Sequence, residues 1–253
     1  MKIQEAIEFI ENFEVPEKLE NASKTIKDSL VSLDKDEFED IATHYYYLLR
    51  VVLKSHILFE KDIARYYYRK MTENFRLQEE KYKRAVSKSK QKEVIETQLD
   101  IFYQMMERYY SSLEVIYDKK DFIEAKERAY REKMNFRKSA YRFSREYMKY
   151  LGYEFLAMTS SYGTSFFRWG ITSLIFILIF AGLFACLNYF HATAIEVDHW
   201  YDYIYFSITT FATLGYGDIS PISLAGKILS NIEVSAGYIM LGIFMGLVQK
   251  RIL

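Results

Sequence analysis

Cysteine, proline and glycine are scarce over most of this chain of 253 residues. Its one cysteine, Cys186, excludes a disulfide within the chain. Only two prolines occur, and none of the 10 glycines precedes residue 150. The first 150 residues thus have almost none of the residues that break helices, and their apolar side chains recur every three or four positions. This pattern predicts helices throughout that region.

Charge is scarce only in the last third of the chain. The formal net charge is zero, but residues 1–50 carry −6, residues 51–150 carry +8, and residues 151–253 hold only 4 basic and 6 acidic side chains. The apolar runs of this last third predict membrane segments. The charged, Tyr-rich first 150 residues predict a water-soluble helical domain. Its N-terminus lacks the apolar core of a signal peptide, so we expect this domain to remain in the cytoplasm.

Several classes of function find no support in residues 1–168. They contain no pairing of a nucleophile with a base, no metal-ligand cluster and no phosphate-binding loop, so we expect no enzyme. We also expect no cofactor and no nucleic-acid partner. A helix with regularly spaced arginines is missing as well, which argues against intrinsic voltage sensing.

A faint internal repeat occurs in the first domain. A shift of 63 residues superposes seven pairs of identical residues, namely Tyr46 on Tyr109, Tyr47 on Tyr110, Val52 on Val115, Phe59 on Phe122, Tyr67 on Tyr130, Lys70 on Lys133 and Met71 on Met134. The spacing predicts two helical hairpins similar to tetratricopeptide repeats, or simply two hairpins with Tyr-rich packing. The Tyr clusters at 45–47 and 66–68 point in several directions on a helix. We expect a subunit interface there, with aromatic-ligand binding as the alternative.

The last third contains two runs long enough to cross a membrane, residues 171–190 and 222–248. Between them, residues 199–212 form an apolar run too short to span, which predicts a re-entrant helix. The loop 191–220 has no Lys or Arg, whereas basic residues precede the first span and follow the second. The positive-inside rule therefore places both termini in the cytoplasm.

The sequence Thr-Phe-Ala-Thr-Leu-Gly-Tyr-Gly-Asp at 210–218 follows the re-entrant run directly. It resembles the signature of potassium-selective channels, Thr-x-x-Thr-x-Gly-Tyr-Gly-Asp, at every fixed position. With its flanking spans it resembles two-transmembrane-helix potassium channels of the prokaryotic ion-channel pore family. The resemblance is strong over residues 170–248 and weak elsewhere. It implies a selectivity filter whose ion-binding residues are Thr213, Leu214, Gly215, Tyr216 and Gly217.

The chemistry of a filter explains these residue types. A dehydrated potassium ion needs a cage of oxygens in place of its water, and successive backbone carbonyls supply it. Gly215 and Gly217 lack a Cβ and so permit the unusual backbone angles that this requires. The Thr213 hydroxyl adds an oxygen at the inner end, and the Tyr216 ring braces the loop. One loop gives one carbonyl per layer, so four copies must meet on an axis, which implies a homotetramer.

The resemblance also assigns supporting roles. Asp218 would lie at the outer mouth and accept a hydrogen bond from Tyr205, an aromatic residue of the pore helix. Thr209 and Thr210 complete the pore-helix support, but Thr209 stands where some members carry a buried glutamate. This departure leaves slow filter inactivation in doubt.

The second span carries the expected gating residues. Gly237 lies twenty residues after Gly217, the spacing of the hinge glycine in similar channels; close helix packing is the alternative. Leu241 and Met245 are expected at an inner gate or cavity. Glu233 is a carboxylate inside a membrane helix, and such groups are usually functional. It either faces the pore and attracts cations or forms a hydrogen bond behind the pore helix.

These observations predict an all-α membrane protein in three parts. They are a cytoplasmic helical domain (1–150), a juxtamembrane linker (151–168) and a two-span pore domain (169–253). The expected function is passive, selective conduction of K⁺ across the plasma membrane, regulated through the N-terminal domain by an unknown ligand or protein. The alternatives are a weakly selective cation channel, or a membrane-anchored sensor or scaffold with an incidental pore.

Overall fold

The structure is a computed structural model that describes residues 2–12, 16–55, 59–88, 92–190 and 194–252. Within these ranges it contains helices and one isolated β-bridge, between Ile195 and Pro221, but no strand. The all-helical fold predicted from the sequence is therefore confirmed. The chain divides into two compact units, with the border between Ala140 and Tyr141.

Helices make up most of the described part of the N-terminal unit. They are α1 (Ile3–Asn12), α2 (Pro16–Ser32), α3 (Phe38–Lys54), α4 (Lys61–Lys88), α5 (Lys92–Lys119) and α6 (Ile123–Phe143). Pro16 is the first residue of α2, where its missing N–H would have no partner in any helix. The remaining residues of these helices include no proline or glycine, so nothing in the sequence interrupts them.

Residues related by the 63-residue shift meet in this unit. The rings of Tyr46 and Tyr109 stack with centroids 4.1 Å apart, and those of Phe59 and Phe122 stack at 5.3 Å. Tyr46 lies in α3 of the α3–α4 hairpin, and Tyr109 lies at the equivalent place in α5 of the α5–α6 hairpin. Contacts between equivalent residues are typical of helical hairpins that stack as successive repeats.

The two Tyr clusters face each other across α3 and α4. Tyr45 contacts Tyr66 and Tyr67, with ring centroids 6.1 and 6.0 Å apart. Tyr46 and Tyr47 are buried in the core. Much of this aromatic surface is thus covered within one chain, while Tyr66 stays partly exposed. The expected subunit interface at these clusters remains a prediction.

The C-terminal unit contains the two apolar spans. Its helices are α7 (Tyr147–Ser160), α8 (Phe166–Tyr189), α9 (Asp202–Phe211) and α10 (Leu224–Ile252). Two of the described helices, α8 and the Leu224–Gln249 part of α10, are long and apolar enough to cross a membrane. Phe180, Phe184, Ala194, Ile195 and Phe206 form a buried apolar cluster between α8, α9 and the loop that precedes α9.

The border between the units lies ten residues before the predicted end of the first domain. The sequence shows its drop in charge near residue 150. In the structure, however, the rings of Tyr141 and Tyr153 contact each other with centroids 5.2 Å apart, and Lys149 lies 5.2 Å from the centroid of the Tyr141 ring. These contacts join the chain after Ala140 to α7. Within the stretch 151–168, predicted as a linker, residues 151–160 belong to α7 and residues 166–168 to α8.

The helix ends also differ from the predicted ones. The first span begins at Phe166 rather than residue 171, because the Ser165 side chain caps α8 by accepting a hydrogen bond from the Arg168 backbone N–H at 3.3 Å. The re-entrant helix begins at Asp202 rather than residue 199. A hydrogen bond also connects the start of α8 to α10, because the Trp169 indole N–H donates to the Met240 carbonyl at 2.9 Å.

Candidate functional site

The helix α9 is short and has an acidic start. The carboxylate of Asp202 accepts hydrogen bonds from the backbone N–H groups of Asp198 (3.0 Å) and His199 (2.8 Å). These bonds hold residues 198–201 in a turn, which explains why the helix begins later than its apolar pattern suggests. With 10 residues, α9 cannot span a membrane. Its negative C-terminal end leads into the signature residues, which favours a cation there.

The chain after α9 turns back on the last carbonyls of the helix. The backbone N–H of Leu214 donates to the Thr209 carbonyl at 2.8 Å, and that of Gly215 to the same oxygen at 3.3 Å. The Thr213 N–H donates to the Thr210 carbonyl at 3.0 Å. Thr209 and Thr210 are buried. They support the start of the signature loop mainly through their backbone, because the Thr209 hydroxyl donates to the Phe206 carbonyl within α9.

Every second residue of the filter segment (residues 213–217) has a left-handed backbone. The φ angles are +57° at Thr213, +54° at Gly215 and +84° at Gly217, whereas Leu214 and Tyr216 have no positive φ. This alternation lets successive carbonyl oxygens project from one side of the chain, which is what a line of cation sites needs. Glycine adopts these angles freely. Thr213 does not, so a β-branched residue is held in a strained conformation.

The outer end of the filter segment is fixed by a hydrogen bond. The Tyr205 hydroxyl donates to Asp218 Oδ2 at 2.6 Å, so the predicted bond is present. This bond lowers the pKa of the Asp218 carboxyl below its usual value. A lowered pKa favours the charged carboxylate beside the filter segment.

The side chains of Leu214 and Tyr216 lie on the outside of this single chain. Leu214 is 56% exposed and Tyr216 is 67% exposed. Both side chains are thus largely uncovered in the single chain, and the bracing of the loop by Tyr216 remains a prediction.

Glu233 lies in the interior of the unit and not on its surface. Its side chain is fully buried, and it shares a hydrogen bond with the hydroxyl of Ser207 in α9. The same hydroxyl lies 2.8 Å from the carbonyl oxygen of Ile177 in α8. The sequence left two positions open for the Glu233 side chain, one facing the pore and one bonded behind the pore helix. In the structure this side chain is bonded to α9, the helix predicted as the pore helix. Glu233 joins all three helices of the pore segment.

The hydrogen-bond geometry at Glu233 bears on its protonation. The Ser207 hydroxyl has one proton and meets two oxygens, and the Ile177 carbonyl can only accept. Both contacts are satisfied when Ser207 donates to Ile177 and a protonated Glu233 donates to Ser207. The second carboxyl oxygen, Oε2, is buried and has no hydrogen-bond partner among the described residues. A charge on that oxygen would be costly, so the geometry fits a neutral carboxylic acid.

Gly237 lies one helical turn after Glu233 and packs on the end of α9. A Cβ at this position would overlap the backbone carbonyl of Phe211, so only glycine allows the two helices this close. This contact shows close packing; the hinge role remains a prediction. Leu241 and Met245 lie further along α10 and are 46% and 60% exposed in the single chain. Their role at an inner gate or cavity likewise remains a prediction.

Three features of the site were not predicted from the sequence. They are Ser207, the left-handed Thr213, and Asn188 near the end of α8. The side chain of Asn188 accepts from the Ala194 backbone N–H at 2.6 Å and donates to the Ile195 carbonyl at 2.8 Å, which fixes the loop before α9. A signal was present for two of them. Ser207 and Asn188 are polar residues within apolar helices, and such residues commonly bond to a neighbouring segment.

Comparisons with known proteins agree with this geometry. Residues 172–253 match the family described as ion channel. The chain is 33% identical over 86 residues to the two-pore potassium channel 4 of Arabidopsis thaliana. That alignment covers 33% of this chain and 30% of the relative, so the chain spans less than a third of the length of the curated relative it matches. No solved structure matches the chain. Residues 172–253, which contain α9, the signature, α10 and most of α8, are therefore similar to this ion channel family.

Proposed function

We propose that this chain is the subunit of a potassium-selective channel. The observation that carries the proposal is the alternation of left-handed backbone at Thr213, Gly215 and Gly217 within the matching signature. This conformation supplies a row of carbonyl oxygens without any charged side chain. Such a row binds a dehydrated monovalent cation at several weak sites, which allows rapid exit as well as entry.

Conduction is passive in this proposal. A potassium ion loses water at the Thr213 end and passes along the carbonyls of Thr213, Leu214, Gly215 and Tyr216. It regains water near Asp218. The Leu214 side chain replaces the more common Val or Ile of similar signatures, but it lies away from the carbonyl row and should leave selectivity intact.

The assembled channel is a homotetramer in the plasma membrane with both termini in the cytoplasm. Four filter segments are needed to complete each oxygen layer. The exposed Tyr216 ring and the exposed apolar faces of α8 and α10 support burial against neighbouring subunits and lipid. The N-terminal unit regulates conduction, since its stacked hairpins resemble modules that commonly bind a partner or one another.

Ion flux into liposomes tests the proposal. Purified full-length protein is reconstituted and the uptake of K⁺ and of Na⁺ is compared with and without barium. The matched control is Gly215→Ala, because a side chain at a φ of +54° is strained and should distort the carbonyl row. We expect barium-sensitive K⁺ uptake at least about tenfold above Na⁺ uptake, and its loss in the control.

The other outcomes are distinct. Equal K⁺ and Na⁺ uptake would show a weakly selective cation channel. Barium-sensitive K⁺ uptake that persists in Gly215→Ala would contradict the role of the filter segment. If the intact protein shows no uptake, the chain beginning at Tyr141 is measured next. Uptake in that shorter chain would identify the N-terminal unit as an inhibitor, and none would argue for a sensor with an incidental pore.

A further inference from the structure

The N-terminal unit contains a cleft of about 640 Å³ at the turn ends of its two stacked hairpins. Its walls come from Leu53 near the end of α3, Phe59, the first turns of α4, the end of α5 and the first turns of α6. This volume lies within the range of about 300–1,000 Å³ that small-molecule sites occupy. The cleft is therefore large enough for a compact organic ligand and too small for a folded partner.

Aromatic rings form much of the lining. Phe59 and Phe122, which the 63-residue repeat relates, stack on each other beside the cleft. Tyr68 and Tyr117 contribute two further rings. Tyr117 is almost completely buried, so this side of the cleft belongs to the hydrophobic core of the unit. Such a lining favours a ligand with a flat or compact apolar body.

Cationic side chains are in excess at the cleft. The basic lining residues are Lys61, Arg65, Arg69 and Arg128, and the acidic ones are Asp121 and Glu124. Arg65 forms an ion pair with Asp62 at 3.6 Å. Within the described residues, no carboxylate forms an ion pair with Arg69 or Arg128. Arg128 lies near the hydroxyl groups of Tyr68 and Tyr117.

The helix geometry adds to this positive potential. Helix α4 begins at Lys61 and α6 begins at Ile123, and both residues line the cleft. The N-terminus of each helix carries a partial positive charge from its unpaired N–H groups. The aromatic lining, the arginines without carboxylate partners and two helix N-termini thus meet in one cavity.

We propose that this cleft binds a small amphipathic anion, with its apolar body among Phe59, Phe122 and Tyr117 and its carboxylate or sulfonate paired with Arg69 and Arg128. Arginine suits this role because its planar group binds such oxyanions through two parallel hydrogen bonds. The proposal does not depend on conduction by the pore segment, since every residue that carries it lies before Ala140.

Calorimetric titration of the full-length protein in lipid nanodiscs tests this site, with empty nanodiscs as the blank. The probe is naphthalene-2-sulfonate, and its matched neutral partner is naphthalene-2-sulfonamide. We expect saturable binding of one sulfonate per chain. We expect the sulfonamide to bind at least about tenfold more weakly, because it cannot form the charge-assisted hydrogen bonds.

Variants assign the binding to the cleft. Replacing both arginines, Arg69→Gln with Arg128→Gln, should weaken sulfonate binding at least about tenfold. The control is Arg131→Gln. Arg131 also lies on α6, but it pairs with Glu127 and does not line the cleft, so this substitution should leave binding unchanged. Far-ultraviolet circular dichroism checks that each variant is folded.

Each contrary result overturns the proposal. No saturable binding of the sulfonate means that the cleft is not an anion site. Equal binding of sulfonate and sulfonamide means that the cationic rim does not recognise charge. Equal binding by the double variant and the unchanged chain places the probe elsewhere. If the double variant fails to fold, the comparison of the two probes on the unchanged chain still decides.

Discussion

Replacing Glu233 by glutamine tests whether this residue is a neutral structural group or a charge that acts on ions. A neutral Glu233 donates to Ser207, which in turn donates to Ile177. Glutamine has nearly the same shape, and its amide N–H makes the same bond. We therefore expect Glu233→Gln to change the free energy of unfolding by less than about 1 kcal/mol.

Replacing Ser207 by alanine is the informative contrast. It leaves the Ile177 carbonyl without a donor and the Glu233 carboxyl without a partner, both in the membrane interior. Each buried group left unpaired costs about 1–3 kcal/mol. Ser207→Ala should thus destabilise the protein by about 2–4 kcal/mol, clearly more than Glu233→Gln. Unfolding in mixed micelles, followed by circular dichroism during a titration with dodecyl sulfate, measures both values.

Two results would refute this reasoning. Stabilisation by more than about 2 kcal/mol in Glu233→Gln would show that the native carboxyl is charged, since removal of a buried membrane charge is favourable by about that amount. A lower single-channel conductance in Glu233→Gln, or weaker block by internal magnesium, would show that the carboxylate faces the ion path. Unchanged conductance and block agree with its place behind α9.

Two further predictions concern other contacts of the pore segment. Gly237→Ala should destabilise the protein by about 1–3 kcal/mol, because the added Cβ would overlap the Phe211 carbonyl. The control is Gly182→Ala, whose Cβ would meet open space and should change thermal unfolding little. Equal effects of the two substitutions would argue against the contact between Gly237 and Phe211. Tyr205→Phe removes the bond that lowers the pKa of Asp218, so that pKa should rise. Asp218 is charged above its pKa, so acid should inhibit the K⁺ current of Tyr205→Phe at higher pH than that of the unchanged channel; identical pH profiles would contradict the role of this bond.

The filter segment and its spans could be predicted from the sequence because their constraints are local. A line of carbonyls requires glycine at alternate positions, and a span requires a minimum apolar length, so both leave a readable pattern. The left-handed Thr213 leaves none, because any residue is permitted there if the surrounding hydrogen bonds are strong enough to hold it. Its N–H is bound to the Thr210 carbonyl, and this could be seen only in the fold.

Contacts between helices could not be predicted from the sequence. Glu233 was recognisable as unusual, but its position behind α9 depends on the rotation and depth of three helices, which bring Ser207 and Ile177 to it. The border between the two compact units likewise depends on packing. Charge falls near residue 150, but the chain from Tyr141 onward already packs with the second unit, where the Tyr141 ring contacts that of Tyr153.

The contacts of α10 with α9 restrict where the second span can bend. Glu233 bonds to Ser207, and Gly237 packs on Phe211, so residues four apart on one helix meet residues four apart on the other. Since i and i+4 lie on the same face of a helix, the two contacts form one continuous seam. Bending at Gly237 would disturb its close contact with Phe211. Gly242, which has open space around it, lies beyond the seam. A bend at Gly242 would therefore move the part of α10 that contains Met245, one of the two residues expected at the gate, while the seam holds residues 233–237 against α9.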